Sequence, residues 1–311
     1  MCNRAIRDVS FLNPYNILKE EGGAANLFED SVTLGLRGTG VEFWGDSSKC
    51  NNLSSRNKRA DLLRVVRVNM SSYAGHISRC YYWHDFAQSL NLSNTICESA
   101  GTGIEVTCDS SMGHNGEACP AFGRFYDTEF EDCTICMSIT DTQDLEGDGG
   151  YFLGRGLKSN NVIRISSKNF GQPASSKNIG SYAEAFRWHG GRFGNSGDAI
   201  MSIGVSEFIL EGAQYFNGSL AASSSRNARP EIDITGYGSA TMPTRGIIAN
   251  NILCVASGQQ PVKIFQKSIA LEEGVSHVHV HDNEISMCIN GNIDYNKNFP
   301  NRKFNMISGN M

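Results

Sequence analysis

Along most of this chain apolar residues recur at every second position in short runs, and each run closes on a polar bend. Ile77-Ser78-Arg79-Cys80-Tyr81-Tyr82-Trp83-His84-Asp85-Phe86, Val162-Ile163-Arg164-Ile165, Phe186-Arg187-Trp188-His189-Gly190-Gly191-Arg192-Phe193 and Val278-His279-Val280-His281-Asp282-Asn283-Glu284-Ile285 are clear instances. A period of two puts alternate side chains on opposite faces, which is a strand signal. Helical spacing is nearly absent: Ala60–Val68 is the nearest approach, and its Val-rich end favours a strand. Each phrase therefore predicts a strand, a bend carrying Gly or Asn, and a second short strand.

The closing hydrophobes of these phrases fall at Phe86, Phe130, Phe170, Phe193, Phe216, Ile252 and Ile285. Steps of 23 recur from 170 to 216, which fits a coil of roughly 20 to 25 residues with loop insertions. One such coil cannot bury its inward residues alone, so coils must stack, each strand pairing in parallel with its equivalent in the next. Asn at the bends tolerates left-handed backbone, and stacked Asn side chains can bond to one another. The expectation is an all-β, right-handed parallel β-helix over residues 41–295, with an irregular N-terminal segment (1–40) and a C-terminal tail (296–311). A β-sandwich would need Asn-Gly or Asp-Gly hairpin turns every 8 to 12 residues.

Gly246–Leu253 and Ser276–Ile285 resemble coils of right-handed parallel β-helix proteins of the pectate-lyase-like class. Gly197-Asp198-Ala199-Ile200 and Pro230-Glu231-Ile232-Asp233-Ile234 look like the strand entries of phage tailspikes and capsule depolymerases in that class. The resemblance spans roughly residues 60–290, without the Gly-Asp-Gly-x-x-Asp-Asp opening common in such tailspikes. It implies a homotrimer in a virion tail that binds, and by glycosidic hydrolysis or β-elimination cuts, a bacterial capsule or O-antigen polysaccharide. The alternatives are a β-helix that grips glycan without cutting it, or a structural spacer of the virion. A trimer would cover Tyr81, Tyr82 and Tyr126 if these face outward.

Composition narrows the partners. Net charge is −5, with 27 Lys and Arg against 32 Asp and Glu, so nucleic-acid backbone is not an expected ligand. No run of 18 apolar residues exists to span a membrane, and the N-terminus shows no signal-peptide apolar region. Ten cysteines in a chain this long are too sparse for a disulfide scaffold, and free thiols in a reducing compartment are expected. Cys133-Thr134-Ile135-Cys136 reads as two buried small hydrophobes rather than a metal site.

Hydrolysis of a glycosidic bond needs a protonated carboxylic acid and a carboxylate. Asp233 lies between inward Ile232 and Ile234 and should point outward, while Asp198 and Glu211 open or close earlier coils. Asp198 and Asp233 are the expected acid and base or nucleophile, with Glu211 as substitute for either. Trp188 and Tyr215 are expected to stack on sugar rings, with His189 and Arg192 contacting the glycan. A lyase would draw on His189, Arg192 and Tyr215 instead. The acidic run Asp141–Gly150 reads as a solvated loop between coils, with Ca²⁺ the only cofactor its oxygen donors suggest and no metal expected. His277, His279 and His281 share the outward face if Val278 and Val280 point in.

Overall fold

The computed structural model describes residues 4–21, 26–45, 62–73, 77–85, 87–107, 120–166, 185–222, 229–235, 244–255, 267–272, 275–285, 294–295 and 306–310. The described residues form strands and turns only, with no helix long and apolar enough to cross a membrane. Three strands make one coil. The first coil is β1 (Ala5–Arg7), β2 (Ser10–Leu12) and β3 (Leu18–Glu21), and the trio repeats up the chain to β31 (Met306–Ser308). Every strand pairs in parallel with the strand three places on, giving sheets of eleven, ten and ten strands, here sheets 1, 2 and 3. This is the expected right-handed parallel β-helix.

The coil is visible in the register. Phe186 pairs with Phe208 on sheet 1 and Phe193 with Tyr215 on sheet 2, steps of 22 residues rather than the 23 read from closing hydrophobes. Coils begin at Ala5, so the described residues between 5 and 40 do not form an irregular segment: Ala5 already pairs with Leu27 and Ser10 with Val32. Met306–Ser308 likewise pairs with His279–His281, so part of the expected tail is an eleventh strand of sheet 1.

The bend between sheets 1 and 2 explains why Asn, Asp and Gly punctuate the sequence. At each of its ten occurrences among the described residues a residue has positive φ (Asp8, Asp30, Arg67, Asn94, Asp127, Gly149, Gly190, Gly212, Asn250 and Asp282), and Gly309 repeats the feature after the last strand of sheet 1. All but Arg67 are Asp, Asn or Gly, the residue types that reach left-handed backbone at the least steric cost. In the last three coils the next residue is Asn, and Asn251, Asn283 and Asn310 form a ladder inside the bend. Asn283 Nδ2 donates to Asn310 Oδ1 at 2.9 Å, and Asn251 Nδ2 donates to Asn283 Oδ1 at 3.0 Å. The ladder satisfies amides that would otherwise be buried unpaired.

Inside the coils an aromatic column runs along the axis. Phe152 stacks on Phe193 at 5.1 Å, Phe193 on Tyr215 at 5.4 Å, and Trp188 meets Phe152 and Phe193 edge-on. Pairs of this kind add about 0.5–1.5 kcal/mol each beyond their area burial. Gly147 makes room for the indole: a Cβ there would lie 2.4 Å from Trp188 ring carbons. Val278 and Val280 are fully buried and His277 and His279 exposed, as the alternation requires.

Two expectations about side chains fail. Tyr81 points inward and is 1% exposed, because it shares parity with Trp83; Tyr82 is half-buried and Tyr126 is exposed. Cys80 and Cys97 form a disulfide rather than free thiols, and Cys254 is disulfide-bonded as well. Stacking coils place Cys80 of sheet 3 within bridging distance of Cys97 of sheet 2, a proximity that no spacing in the sequence shows. Cys133 and Cys136 are free and buried, as small core residues.

Candidate functional site

Asp198 and Asp233 meet at the corner where sheet 2 gives way to sheet 3. Asp198 sits in the bend between β20 (Arg192–Ser196) and β21 (Met201–Ile203), where Gly197 closes the turn and Ala199 N–H donates to Asp198 Oδ1 at 2.9 Å. Asp233 is the fourth residue of β24 (Pro230–Ile234), which pairs with β21 so that Asp233 lies beside Ser202. Ile232 and Ile234 are fully buried in the core, so Asp233 points away from it as expected, yet its side chain is only 4% exposed.

One guanidinium joins the two acids. Arg229 Nε lies 3.3 Å from Asp198 Oδ1, and Arg229 Nη2 lies 3.7 Å from Asp233 Oδ2. Both carboxyls therefore fall within about 10 Å of each other, inside the spans used by glycoside hydrolases. Their surroundings differ sharply. The Asp198 side chain is 43% exposed, whereas burial pushes the Asp233 carboxyl up to about 6. Glu272 and Asp198 push the same way by charge, and Arg229 opposes them. Asp233 Oδ1 is buried without a hydrogen-bond partner. A proton on that carboxyl removes the desolvation penalty of an ionised group, which is the physical content of the raised value.

Arg229 and Glu272 were not legible as members of this cluster, although Arg229 immediately precedes the strand that carries Asp233. Glu231 was missed too. It is 1% exposed, its Oε2 accepts the Cys254 N–H at 2.6 Å, and its Oε1 is buried unpaired. Burial pushes it up to about 8, against the backbone hydrogen bonds from Cys254 and Gly218. A second acid alternating with Ile232 was the available signal.

Glu211 belongs elsewhere. It ends β22 (Glu207–Glu211) on sheet 1 and faces His189 of β19 (Ala185–His189), with His189 Nδ1 3.4 Å from Glu211 Oε2. It therefore cannot substitute for either aspartate at the sheet 3 corner. Beside this pair, the outer face of sheet 1 carries a groove of about 360 Å³ across β19, β22, β25 (Thr244–Ala249) and β28 (Val275–His281). Its floor includes Ile209 and Ile247, adjacent in register, and its walls include Arg187, Glu207, Arg245, His277 and His279. His277 has φ 59° where the register of β25 and β28 slips, a bulge that re-aims its ring.

The expected sugar platforms are corrected. Trp188 and Tyr215 are each 1% exposed members of the core column, so neither offers a ring face to a ligand. Trp188 shares parity with Phe186, and Tyr215 pairs in register with the inward Phe193. Arg192 is exposed, with its guanidinium over the rings of Tyr151 and Phe216. The acidic run is no loop: residues 143–148 form β16 (Gln143–Asp148) of sheet 1. Alternation lines Asp144, Glu146 and Asp148 along its outer face, where Asp144 binds Arg124 and Arg187, Glu146 binds Arg124 and Asp148 lies exposed. Among the described residues no group of three or more His, Cys, Asp or Glu side chains is placed to hold a metal ion.

No protein-family model matches this chain, and no curated protein matches it. Among solved structures it is similar to the A-module of the mannuronan C-5 epimerase AlgE6 of Azotobacter vinelandii. That likeness has 11% identity and a TM-score of 0.44, covering 99% of this chain and 80% of that one. The A-module of mannuronan C-5 epimerase AlgE4 of the same organism gives 6% identity and a TM-score of 0.35, with 99% and 88% covered.

Proposed function

We propose that this chain is a tailspike-like protein that binds a bacterial surface polysaccharide and hydrolyses it at the Asp198–Asp233 corner. The observation that supports it is a pair of carboxyls tied by one arginine and held in opposite environments, one exposed, the other buried and pushed up to about 6. Pairs of acids whose surroundings drive them apart are the usual source of an acid and a base in one site. Asp233 in its protonated form donates to the departing glycosidic oxygen. Asp198, as carboxylate, takes the proton of an attacking water or attacks the anomeric carbon itself. Arg229, its side chain 56% exposed, lies over Asp233. An incoming sugar that displaces it uncovers Oδ2 and removes the positive charge that favours the anion, which keeps the proton on Asp233 until the glycosidic oxygen is in place to receive it.

The tailspike role would place the chain in a virion tail as a homotrimer, with Tyr126, 41% exposed, among the residues a neighbouring subunit covers. The test is incubation with capsule or O-antigen polysaccharide, reading new reducing ends. Asp233→Asn should lower turnover by about 10²–10⁴ with the fold retained, the usual worth of one general acid. Wild-type turnover should fall as pH rises through about 6, because the acid form of Asp233 is then lost. An Asp198→Asn/Asp233→Asn double variant as active as the wild type refutes the site. Unsaturated uronate ends would mean elimination instead, and binding with no new ends would leave a glycan-gripping β-helix.

A further inference from the structure

The groove on the outer face of sheet 1 lies on a different sheet from the Asp198–Asp233 corner, and its chemistry is different. We infer that it is a second saccharide-binding surface, selective for an anionic sugar residue such as a uronate, which holds the polymer without cutting it. The inference rests on the reading that the ligand is a polysaccharide.

Its floor is two aliphatic side chains in adjacent coils. Ile209 and Ile247 face out because Phe208, Leu210 and Ile248 fill the inward positions around them. Half-buried isoleucines on a sheet's solvent face suit the C–H face of a pyranose ring, which loses water on contact as they do. The rim carries the polar selection. Arg187 and His279 stand at the two ends of the Ile209–Ile247 row, in register with it, and Arg245 and His277 line one side. Arg187 and Arg245 against Glu207 leave one positive charge in excess among the lining residues of a chain whose net charge is −5, with His277 and His279 beside them as further hydrogen-bonding groups. Arg187 is committed to Asp144 at 2.7 Å, whereas among the described residues the guanidinium of Arg245 makes no ion pair. Arg245 is thus the group placed to take a carboxylate, through the paired N–H donors that suit that anion. A volume of about 360 Å³ lies at the small end of ligand pockets, which fits one or two sugar residues rather than a protein segment.

The same groove lacks the acid pair that hydrolysis needs. Its one carboxylate, Glu207, has no second carboxyl among the lining residues, so the two-acid chemistry of hydrolysis is missing there. Its contribution is retention of the polymer while another face works.

The experiment is calorimetric titration of the full chain, carrying Asp233→Asn so that substrate survives, with a hexameric oligouronate and with a neutral oligosaccharide of equal length. Binding of the uronate and at least tenfold weaker binding of the neutral oligomer are expected. Arg245→Ala should weaken uronate binding by roughly tenfold or more, the worth of one charge-assisted hydrogen bond pair. Because Arg245 is exposed, its melting temperature should match the parent's. Equal affinity for the two oligomers, or unchanged uronate binding in a folded Arg245→Ala protein, overturns the inference. Absence of polymer cleavage by the wild type, with uronate binding and its dependence on Arg245 intact, would sink the hydrolase reading alone.

Discussion

Replacing Glu231 by Gln should remove a large part of the pH dependence of this protein's stability. Glu231 is fully buried, and its carboxyl stands at about 8 instead of the ordinary 4.5. The folded chain therefore binds a proton that the unfolded chain releases anywhere between those values. Stability contributed by the protonated form is fully present below about 4.5 and is lost as pH rises to about 8. Carried through linkage, that displacement is worth about 5 kcal/mol, an upper figure because local relaxation and water entry lower it. Gln keeps an oxygen for the Cys254 N–H and never ionises. The assay is chemical denaturation of both proteins at pH 5 and pH 8.5. The wild type should lose several kcal/mol more than Glu231→Gln across that interval, with Asp233, Glu20 and Glu131, also raised by burial, contributing equally to both. Parallel pH profiles for the two proteins would refute the assignment of a buried proton to Glu231.

Two further outcomes follow from packing and covalent structure. Gly147→Ala should destabilise by about 1–3 kcal/mol, since the new Cβ meets a rigid indole clamped between aromatic rings, and a thermal melt unchanged from wild type would contradict that packing. Reducing the Cys80–Cys97 bridge, or Cys97→Ala, should lower stability by about 3 kcal/mol, the loop-closure worth of a crosslink spanning 17 residues, and identical melts with and without reductant would show that the bridge is not formed.

The sequence determined the coil. Alternation told which side chains point in, as Val278 and Val280 against His277 and His279 show, and Asn, Asp and Gly marked the bends because few residue types reach left-handed backbone there. The bend between sheets 1 and 2 and its flanking strands were legible for that reason, as were single strands of sheet 3 such as Arg79–Asp85 and Ile163–Ser166, but the number of residues between sheet 3 and the rest of each coil varies from coil to coil, so no fixed period located that sheet. Parity also carried Asp233 to the outer side of its strand. What alternation cannot supply is the neighbour across coils, because which residues adjoin depends on every loop length between them. Stacking therefore decided that Asp198 and Asp233 share Arg229 while Glu211 faces His189 on another sheet, and that Cys80 bridges Cys97. It also decided burial. Parity with Phe186 already offered Trp188 as core beside its reading as a sugar platform, whereas Tyr215 becomes core through pairing with the inward Phe193, and Asp233 becomes a perturbed acid only because an outward position is covered.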